Sequence, residues 1–407
     1  MRRTYVYRLY PTSPQRDRLT AMLKDHCELY NAALQERRDA YRKAGVTVRG
    51  TQQITQLTAI RAARPDHAAW SFTSQQQTLR RLDKAFQAFF RRIKAGDKPG
   101  YPRFRSARRF DSVDFRHGDG IKLDTTKSSP GHATLKVQGV GTVKVRLHRH
   151  LPEGVKLGQV SVKRDGTGPR ARWHLVVPVD TTEAHLPVTG RTIGVDLGVA
   201  HLLTASEPVP GLTDTSGHAP NPRHGRAAAD RLADAQRDLV RCKRGSNRRR
   251  KAVDRIARLH GVVRRQRLDT ARKAAVALVR HADVIVLEDL RVANMVRRPQ
   301  PKPDGDGGWL PNGAAAKSGL NRSILDAGWG VLIGCVLSKA EEAGREVVMV
   351  NPANTSRRCT ACGHTAAGNR VTQAKFECTA CGHVDHADRN AALNILRAGT
   401  ARRQAEA

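Results

Sequence analysis

Two Cys-X-X-Cys pairs near the C-terminus constrain this chain more than any other feature. Cys359-Thr-Ala-Cys362-Gly-His is followed by Cys378-Thr-Ala-Cys381-Gly-His, with fifteen residues between Cys362 and Cys378. Two thiol pairs at this separation predict one structural Zn2+ held by four thiolates, in a ribbon that contributes folding energy outright. Each pair already supplies its two ligands, so His364, His383 and His386 compete for the metal without being needed. A closed four-thiolate site also leaves no position for catalysis. What it does is pin the segment behind it, Val384 to Ile395, which carries Asp388.

Charge then narrows the partner. Across 407 residues, 72 Lys and Arg stand against 37 Asp and Glu, a net +35. That excess exceeds what solubility asks of a domain and predicts a polyanion, nucleic acid before membrane. An anionic membrane would want an apolar anchor, and the longest apolar run, Trp329 to Leu337, is shorter than the roughly 20 residues a span needs. The start, Met-Arg-Arg-Thr-Tyr-Val-Tyr-Arg, enters an alternating strand pattern with no signal-peptide core. Seven cysteines, an odd number with four in the ribbon, suit a reducing cytoplasm, and Cys27, Cys242 and Cys335 read as packed or incidental thiols.

Periodicity divides the chain. Residues 4–10 alternate as a half-buried strand, and Ser13-Pro14-Gln15 opens a helix with Leu19, Leu23, Cys27, Tyr30 and Leu34 on one stripe. A second helix carries Leu79, Leu82, Phe86, Phe89, Phe90 and Ile93, with Arg and Lys on its other faces. Strands are expected at 112–115, 133–137, 142–147, 159–163 and 173–179, making with 4–10 a small antiparallel barrel. A second architecture starts at Arg191, with a strand, turn and returning strand over 192–204, basic helices over 223–280 and an apolar strand at 284–290. From Arg237 to Lys273 fifteen Arg or Lys accompany three Asp, the pattern of a phosphate track, with a bend at Gly245-Ser-Asn247. Pro299 to Asn321 reads as a mobile loop, Ser323 to Ala343 as a helix, Arg345 to Val350 as a strand, and Arg389 to Leu396 as a short helix with a frayed tail.

Three carboxylates stand where chemistry would need them. Asp196 ends a strand between Gly194 and Gly198, Glu288 ends the second apolar strand, and Asp388 lies at the start of the last helix. Brought together, three acids repel unless protons or cations offset them, and an oxygen-only ligand set suits Mg2+ or Mn2+. Two such ions about 4 Å apart would activate water and stabilise the leaving oxygen of a phosphodiester. Asp289 and Asp385 lie near enough that counting alone does not separate them from the trio. The order of strands, acidic strand and acid-bearing helix is that of a ribonuclease H-like fold.

Several motifs carry a resemblance to a known family: Tyr7-Arg-Leu-Tyr-Pro11, Tyr30-Asn-Ala-Ala-Leu34, Gly100-Tyr-Pro-Arg-Phe104, Gly194-Val-Asp-Leu-Gly198, Leu287-Glu-Asp-Leu290, Thr355-Ser-Arg-Arg-Cys-Thr-Ala-Cys-Gly363 and Asp388-Arg-Asn-Ala-Ala-Leu-Asn394. The chain resembles the TnpB or OrfB proteins of bacterial insertion sequences, long called transposases, which are RNA-guided DNA endonucleases related to compact type V CRISPR effectors. The resemblance implies catalytic acids at Asp196, Glu288 and Asp388, and zinc ligands at Cys359, Cys362, Cys378 and Cys381. It implies a multidomain α/β protein in which a RuvC-like nuclease domain with an inserted zinc ribbon follows a wedge β-barrel interrupted by a helical recognition domain. The boundaries would be 1–15 and 106–185 for the wedge, 16–105 for the recognition helices, 186–354 and 384–407 for the nuclease and 355–383 for the ribbon. The long Pro and Gly-rich stretch from Pro299 to Gly319 departs from the family pattern. The implied partners are a guide RNA derived from the transposon end and double-stranded target DNA, with no membrane, a monomer as the expected state, and the nucleoid as the cytoplasmic address when DNA is bound. Rival readings are a transposase or recombinase accessory protein, for which His148-Arg-His150 has a metal-pair spacing but no partner Tyr stands out, and a non-cleaving guided DNA-binding regulator.

Overall fold

Alternation of apolar side chains builds the first strand, β1 (Arg2–Tyr10), with Tyr7 and Leu9 turned inward. The computed structural model describes residues 2–126, 131–152, 154–181 and 185–406, and the chain divides into two compact units, Met1–Thr181 and Thr182–Ala407. In the first, helix α1 (Ser13–Ala44) starts from a capping box between Thr12 and Gln15 and stops at Gly45, whose φ of 67° suits glycine. Three short helices, α2 (Gly50–Thr55), α3 (Leu57–Ala63) and α4 (Pro65–Ala68), lead to α5 (Phe72–Lys94), whose apolar stripe buries Leu79, Leu82 and Phe86.

Six further strands complete the first unit: β2 (Ser112–Arg116), β3 (Ile121–Asp124), β4 (His132–Val137), β5 (Gly141–Arg146), β6 (Gln159–Asp165) and β7 (Arg172–Asp180). The sheet order is β2-β6-β7-β1-β5-β4-β3, antiparallel throughout, curled into a nearly closed barrel. Every expected strand is present, and β3 is an addition that periodicity over four residues did not resolve. Barrel and helices share one hydrophobic core, in which Trp70, Leu79 and Phe110 meet Val113, Leu135 and Trp173.

The second unit is built on a five-stranded mixed sheet. Its strands are β8 (Thr192–Asp196), β9 (His201–Ala205), β10 (His218–Pro220), β11 (Val284–Glu288) and, later in the chain, β14 (Glu346–Val350). The order is β10-β9-β8-β11-β14, with antiparallel pairing from β10 to β8 and parallel pairing from β8 to β14. That is a ribonuclease H-like, RuvC-like layout. Between β10 and β11 run α6 (His224–Ala227), α7 (Ala229–Val240) and α8 (Asn247–His281). The buried residues of α8 are Val263 and then Ala271, Ala274, Ala275, Leu278, Val279 and His281, so its Arg-rich first half lies outside the core.

The connection from β11 to β14 corrects the sequence reading. After α9 (Val292–Met295), the expected loop over 299–321 holds a small hairpin, β12 (Lys302–Pro303) with β13 (Trp309–Leu310), and helix α10 (Ala314–Ala327) begins nine residues before Ser323. Gly313 in the left-handed region and the Asn312 side chain, which accepts the Ala314 N–H at 3.1 Å, start that helix. Gly328, with φ 73°, ends it and starts α11 (Trp329–Ala343). Together Ala314–Ala343 is apolar enough for a membrane span by composition, but the break leaves 14 and 15 residues on either side. Trp329, Leu332, Val336 and Ala340 of α11 pack into the unit's core.

The ribbon follows, with strands β15 (Lys375–Glu377) and β16 (Val384–His386), and then α12 (Ala387–Glu406). Here a second correction arises: the last helix does not stop at Leu396 in a frayed tail but continues ten residues to Glu406. Tertiary contacts hold it. Gly399 lies against Val286, Arg402 donates to the Met349 carbonyl at 2.8 Å and Arg403 pairs with Glu346 at 3.0 Å.

Candidate active site and metal centre

Period-two alternation sorts the sheet into two faces. Ile193, Val195, Ile285 and Leu287 join the core with α8 and α11, while Val284, Val286, Val348 and Val350 pack on Ile395 of α12. Gly194 and Asp196 of β8 and Glu288 of β11 fall on the α12 face. Parallel register pairs Leu287 with Val195, so the next residues, Glu288 and Asp196, end adjacent strands side by side. A Cβ on Gly194 would sit 2.2 Å from the Ala392 carbonyl oxygen, so this glycine lets α12 lie directly on the strand. The first turn of α12 then delivers Asp388.

The electrostatics follow from that convergence. Burial, then the charges of Glu288 and Asp388, push the Asp196 carboxyl up to about 8, against the opposing pull of Arg370 and the Leu197 N–H. Burial also raises Glu288, while the Thr355 hydroxyl, donating at 2.5 Å, and Arg370 pull it down. Asp388 is 5 % exposed, 3.3 Å from the Arg370 guanidinium and 3.6 Å from His201 Nδ1. A carboxyl raised by burial and by two neighbouring acids, as Asp196 is, sits where positive charge would be favourable, and the oxygen donor set fits Mg2+ or Mn2+. Of the neighbouring acids, Asp289 is exposed and Asp385 pairs with Arg389 at 3.7 Å.

In the ribbon, two similar turns present the thiols. The Cys359 N–H reaches the His364 carbonyl at 2.8 Å and the Cys378 N–H the His383 carbonyl at 2.9 Å, with Gly363 and Gly382 in the left-handed region. Cys359 and Cys381 Sγ are 3.7 Å apart, and Cys362 and Cys378 Sγ 3.6 Å. A tetrahedron of Zn–S bonds about 2.3 Å long has edges of about 3.8 Å, so the four thiols fit Zn2+. His364 and His383 enter through their backbone carbonyls. Buried amides join the ribbon to α12: Asn390 donates to Arg358 O, and Asn394 to Thr355 O and Arg358 O, at 2.6–2.9 Å. The Asn-Ala-Ala-Leu-Asn motif thus places its two amides one helical turn apart on the face that meets the ribbon.

Sequence reasoning missed three contributors to this region. Arg370, from the ribbon, faces all three acids, and Thr355 holds Glu288. His386, by sequence a competitor for zinc, gathers instead with His201 and His218. The sole sequence hint was Thr355-Ser-Arg-Arg, whose first residue follows β14 closely.

Comparison with known proteins finds relatives for the chain. Residues 174–298 match a family described as "Probable transposase" (OrfB_IS605), and residues 329–395 a "Cas12f1-like, TNB domain". Residues 1–45 match a "Helix-turn-helix domain", although here they form one strand and one long helix. The chain is 34% identical over 333 residues to a putative RNA-guided DNA endonuclease, InsQ, of Escherichia coli, covering 80% of this chain and 74% of the relative. It is 31% identical over 410 residues to a putative RNA-guided DNA endonuclease of Streptomyces pristinaespiralis, covering 98% and 90%. A solved Cas12f1–sgRNA–target DNA complex shares the fold, with a TM-score of 0.57 at 14% identity over 97% of this chain and 98% of that one. Two relatives above 30% identity that align over 80% and 98% of its length, together with a RuvC-like sheet and a four-cysteine ribbon, establish that the chain belongs to the TnpB/OrfB family of RNA-guided DNA endonucleases.

Proposed function

We propose that this chain is itself an RNA-guided, divalent-metal-dependent DNA endonuclease, with Asp196, Glu288 and Asp388 as its catalytic acids and Mg2+ or Mn2+ as the ion they hold. The observation that carries the reading is geometric: Glu288 and Asp196 end adjacent strands on the face that receives Asp388 from the first turn of α12, close enough for both charges to raise the Asp196 carboxyl. The ion, when bound, supplies an activated water and a counter-charge for the leaving 3′ oxygen. The protein's own part is positional: Thr355 orients Glu288, Arg370 offsets negative charge, and the helix start holds Asp388. The four thiols hold Zn2+ as a structural staple.

The partners are a guide RNA from the transposon end and double-stranded target DNA. The net charge of +35, the exposed Arg-rich first half of α8 and the named activities of the relatives support this reading. Pairing with the guide would select sequence, and the N-terminal unit would read a short motif in the duplex. Within that scheme residues 1–15 and 106–185 are the wedge, 16–105 the recognition helices, 186–354 and 384–407 the nuclease, and 355–383 the ribbon. The reading places the chain in the bacterial cytoplasm.

The test is plasmid cleavage by protein copurified with its RNA, the bound RNA being sequenced to define the target. Asp196→Ala should lower the Mg2+-dependent rate by ~10³-fold or more, about 4 kcal/mol of barrier, with RNA binding retained. Cutting by the variant at the full rate would remove Asp196 from the catalytic set. Wild-type protein that binds guide-matched DNA without cutting it in either metal would be a regulator.

A further inference from the structure

Three imidazoles meet beside the acid cluster although they come from three separate strands. His201 opens β9, His218 opens β10 and His386 closes β16. Their ring centroids lie 4.2 Å (His201 to His218), 4.4 Å (His218 to His386) and 5.8 Å (His201 to His386) apart, and one ligand nitrogen from each falls within 4.8 Å of the others. Ring packing alone would account for the stacking but not for the polar atoms. His201 Nδ1 is buried with no hydrogen-bond partner among the described residues, 3.6 Å from Asp388 Oδ2. His218 is oriented by Thr204, whose buried hydroxyl lies 2.9 Å from its Nδ1, which leaves Nε2 for the cluster when Nδ1–H donates. His386 Nδ1 accepts only a long 3.3 Å bond from the Asp388 N–H.

We propose that His201, His218 and His386 form a transition-metal site, for Zn2+ or a similar first-row divalent ion, with the Asp388 carboxylate in the fourth position. Three neutral imidazoles suit Zn2+, Co2+ or Ni2+ and suit Mg2+ poorly, so the site differs in metal preference from the carboxylates beside it. Bonds of about 2.0 Å in a tetrahedron put ligand atoms about 3.3 Å apart, close to the His201–Asp388 separation. His201 and His218, stacked at an interplanar angle of 20°, turn about their side-chain bonds on binding to aim both nitrogens at one ion, closing separations of up to 4.8 Å. The hydroxyl behind His218 is the kind of outer partner that fixes a ligating imidazole. An ion held there takes Asp388 from the Mg2+ set and so inhibits cleavage. That consequence rests on the catalytic reading above, whereas the binding site itself does not.

The experiment separates the two. Full-length protein carrying its ribbon zinc, confirmed by elemental analysis, is titrated with Co2+. The expected result is one further equivalent showing the visible absorption of tetrahedral Co2+ without the near-ultraviolet thiolate band that cobalt in the ribbon would give. His218→Gln and His201→Asn, each folded by circular dichroism, should weaken it ~10-fold or more and leave ribbon zinc intact. Wild-type protein that takes up no second equivalent overturns the site, as does unchanged Co2+ affinity in a folded variant. If one variant does not fold, the other and the wild-type titration decide. All of these readouts are independent of DNA cleavage, so an inactive enzyme would sink the catalytic assignment without touching this one.

Discussion

Glu288 shows how one buried side chain is held ready: a single hydroxyl, Thr355 Oγ1, fixes the carboxylate from 2.5 Å away, and the same Thr355 offers its carbonyl to Asn394. A polar group this buried needs such partners, because leaving it unsatisfied costs about 1–3 kcal/mol. In the first unit His26 is the corresponding case. It is 1 % exposed, donates from Nδ1 to the Met22 carbonyl at 2.8 Å, and lies 2.9 Å from Ser74 Oγ. Burial pushes its pKa down to about 4. Between the unfolded value of about 6.5 and this lower one the unfolded chain binds a proton that the folded chain does not. His26 therefore contributes fully above the unfolded pKa and loses its contribution, up to about 3 kcal/mol, as pH falls through the window. Denaturant titrations across that range should show a steeper loss in wild type than in His26→Gln. Equal slopes would mean that the folded protein protonates His26 as readily as the unfolded chain.

Helix α12 is the element on which the site turns. It meets β8 through Gly194 and β11 through Gly399, and its Asn390 and Asn394 reach the ribbon. Gly194→Ala would drive a methyl to 2.2 Å from a backbone carbonyl that cannot swing aside. We expect a loss of about 3 kcal/mol or more in urea unfolding, with cleavage lost in step. Gly334→Ala, at an exposed position of α11 with nothing near its Cβ, should instead raise stability by ~0.5–1 kcal/mol. If both behave alike, the close contact is not what glycine serves at 194. Element type was readable here from local pattern, since 284–290 opens with four apolar residues in a row and 389–396 has helical spacing. The helix's last ten residues were not readable: an Arg and Ala-rich tail looks frayed until Met349 and Glu346 hold its arginines. The hairpin over 302–310 was hidden in the same way by its Pro and Gly content.

For the whole molecule, a Zn2+ held by the four clustered thiols would couple metal to fold. Asn369, fully buried, donates to Arg357 O and His364 O and accepts from the Thr379 N–H, so ribbon order reaches the loop that carries Thr355. Stripping zinc with a strong chelator should lower the melting transition of the C-terminal unit by ~5 °C or more and abolish cleavage, leaving the N-terminal transition in place. Calorimetry with and without chelator checks this, and an unmoved C-terminal transition would argue against a four-thiolate staple. By itself the sequence determined the paired-thiol spacing, the longer strands, the basic character and the family resemblance, because these depend on spacing between near neighbours or on composition. Tertiary structure alone decided that Asp196, Glu288 and Asp388 share a face with Arg370, and that three histidines from distant segments converge beside them. The physical reason is that such proximity comes from strand register and from backbone packing at Gly194, contacts between segments far apart in the chain that no local periodicity encodes.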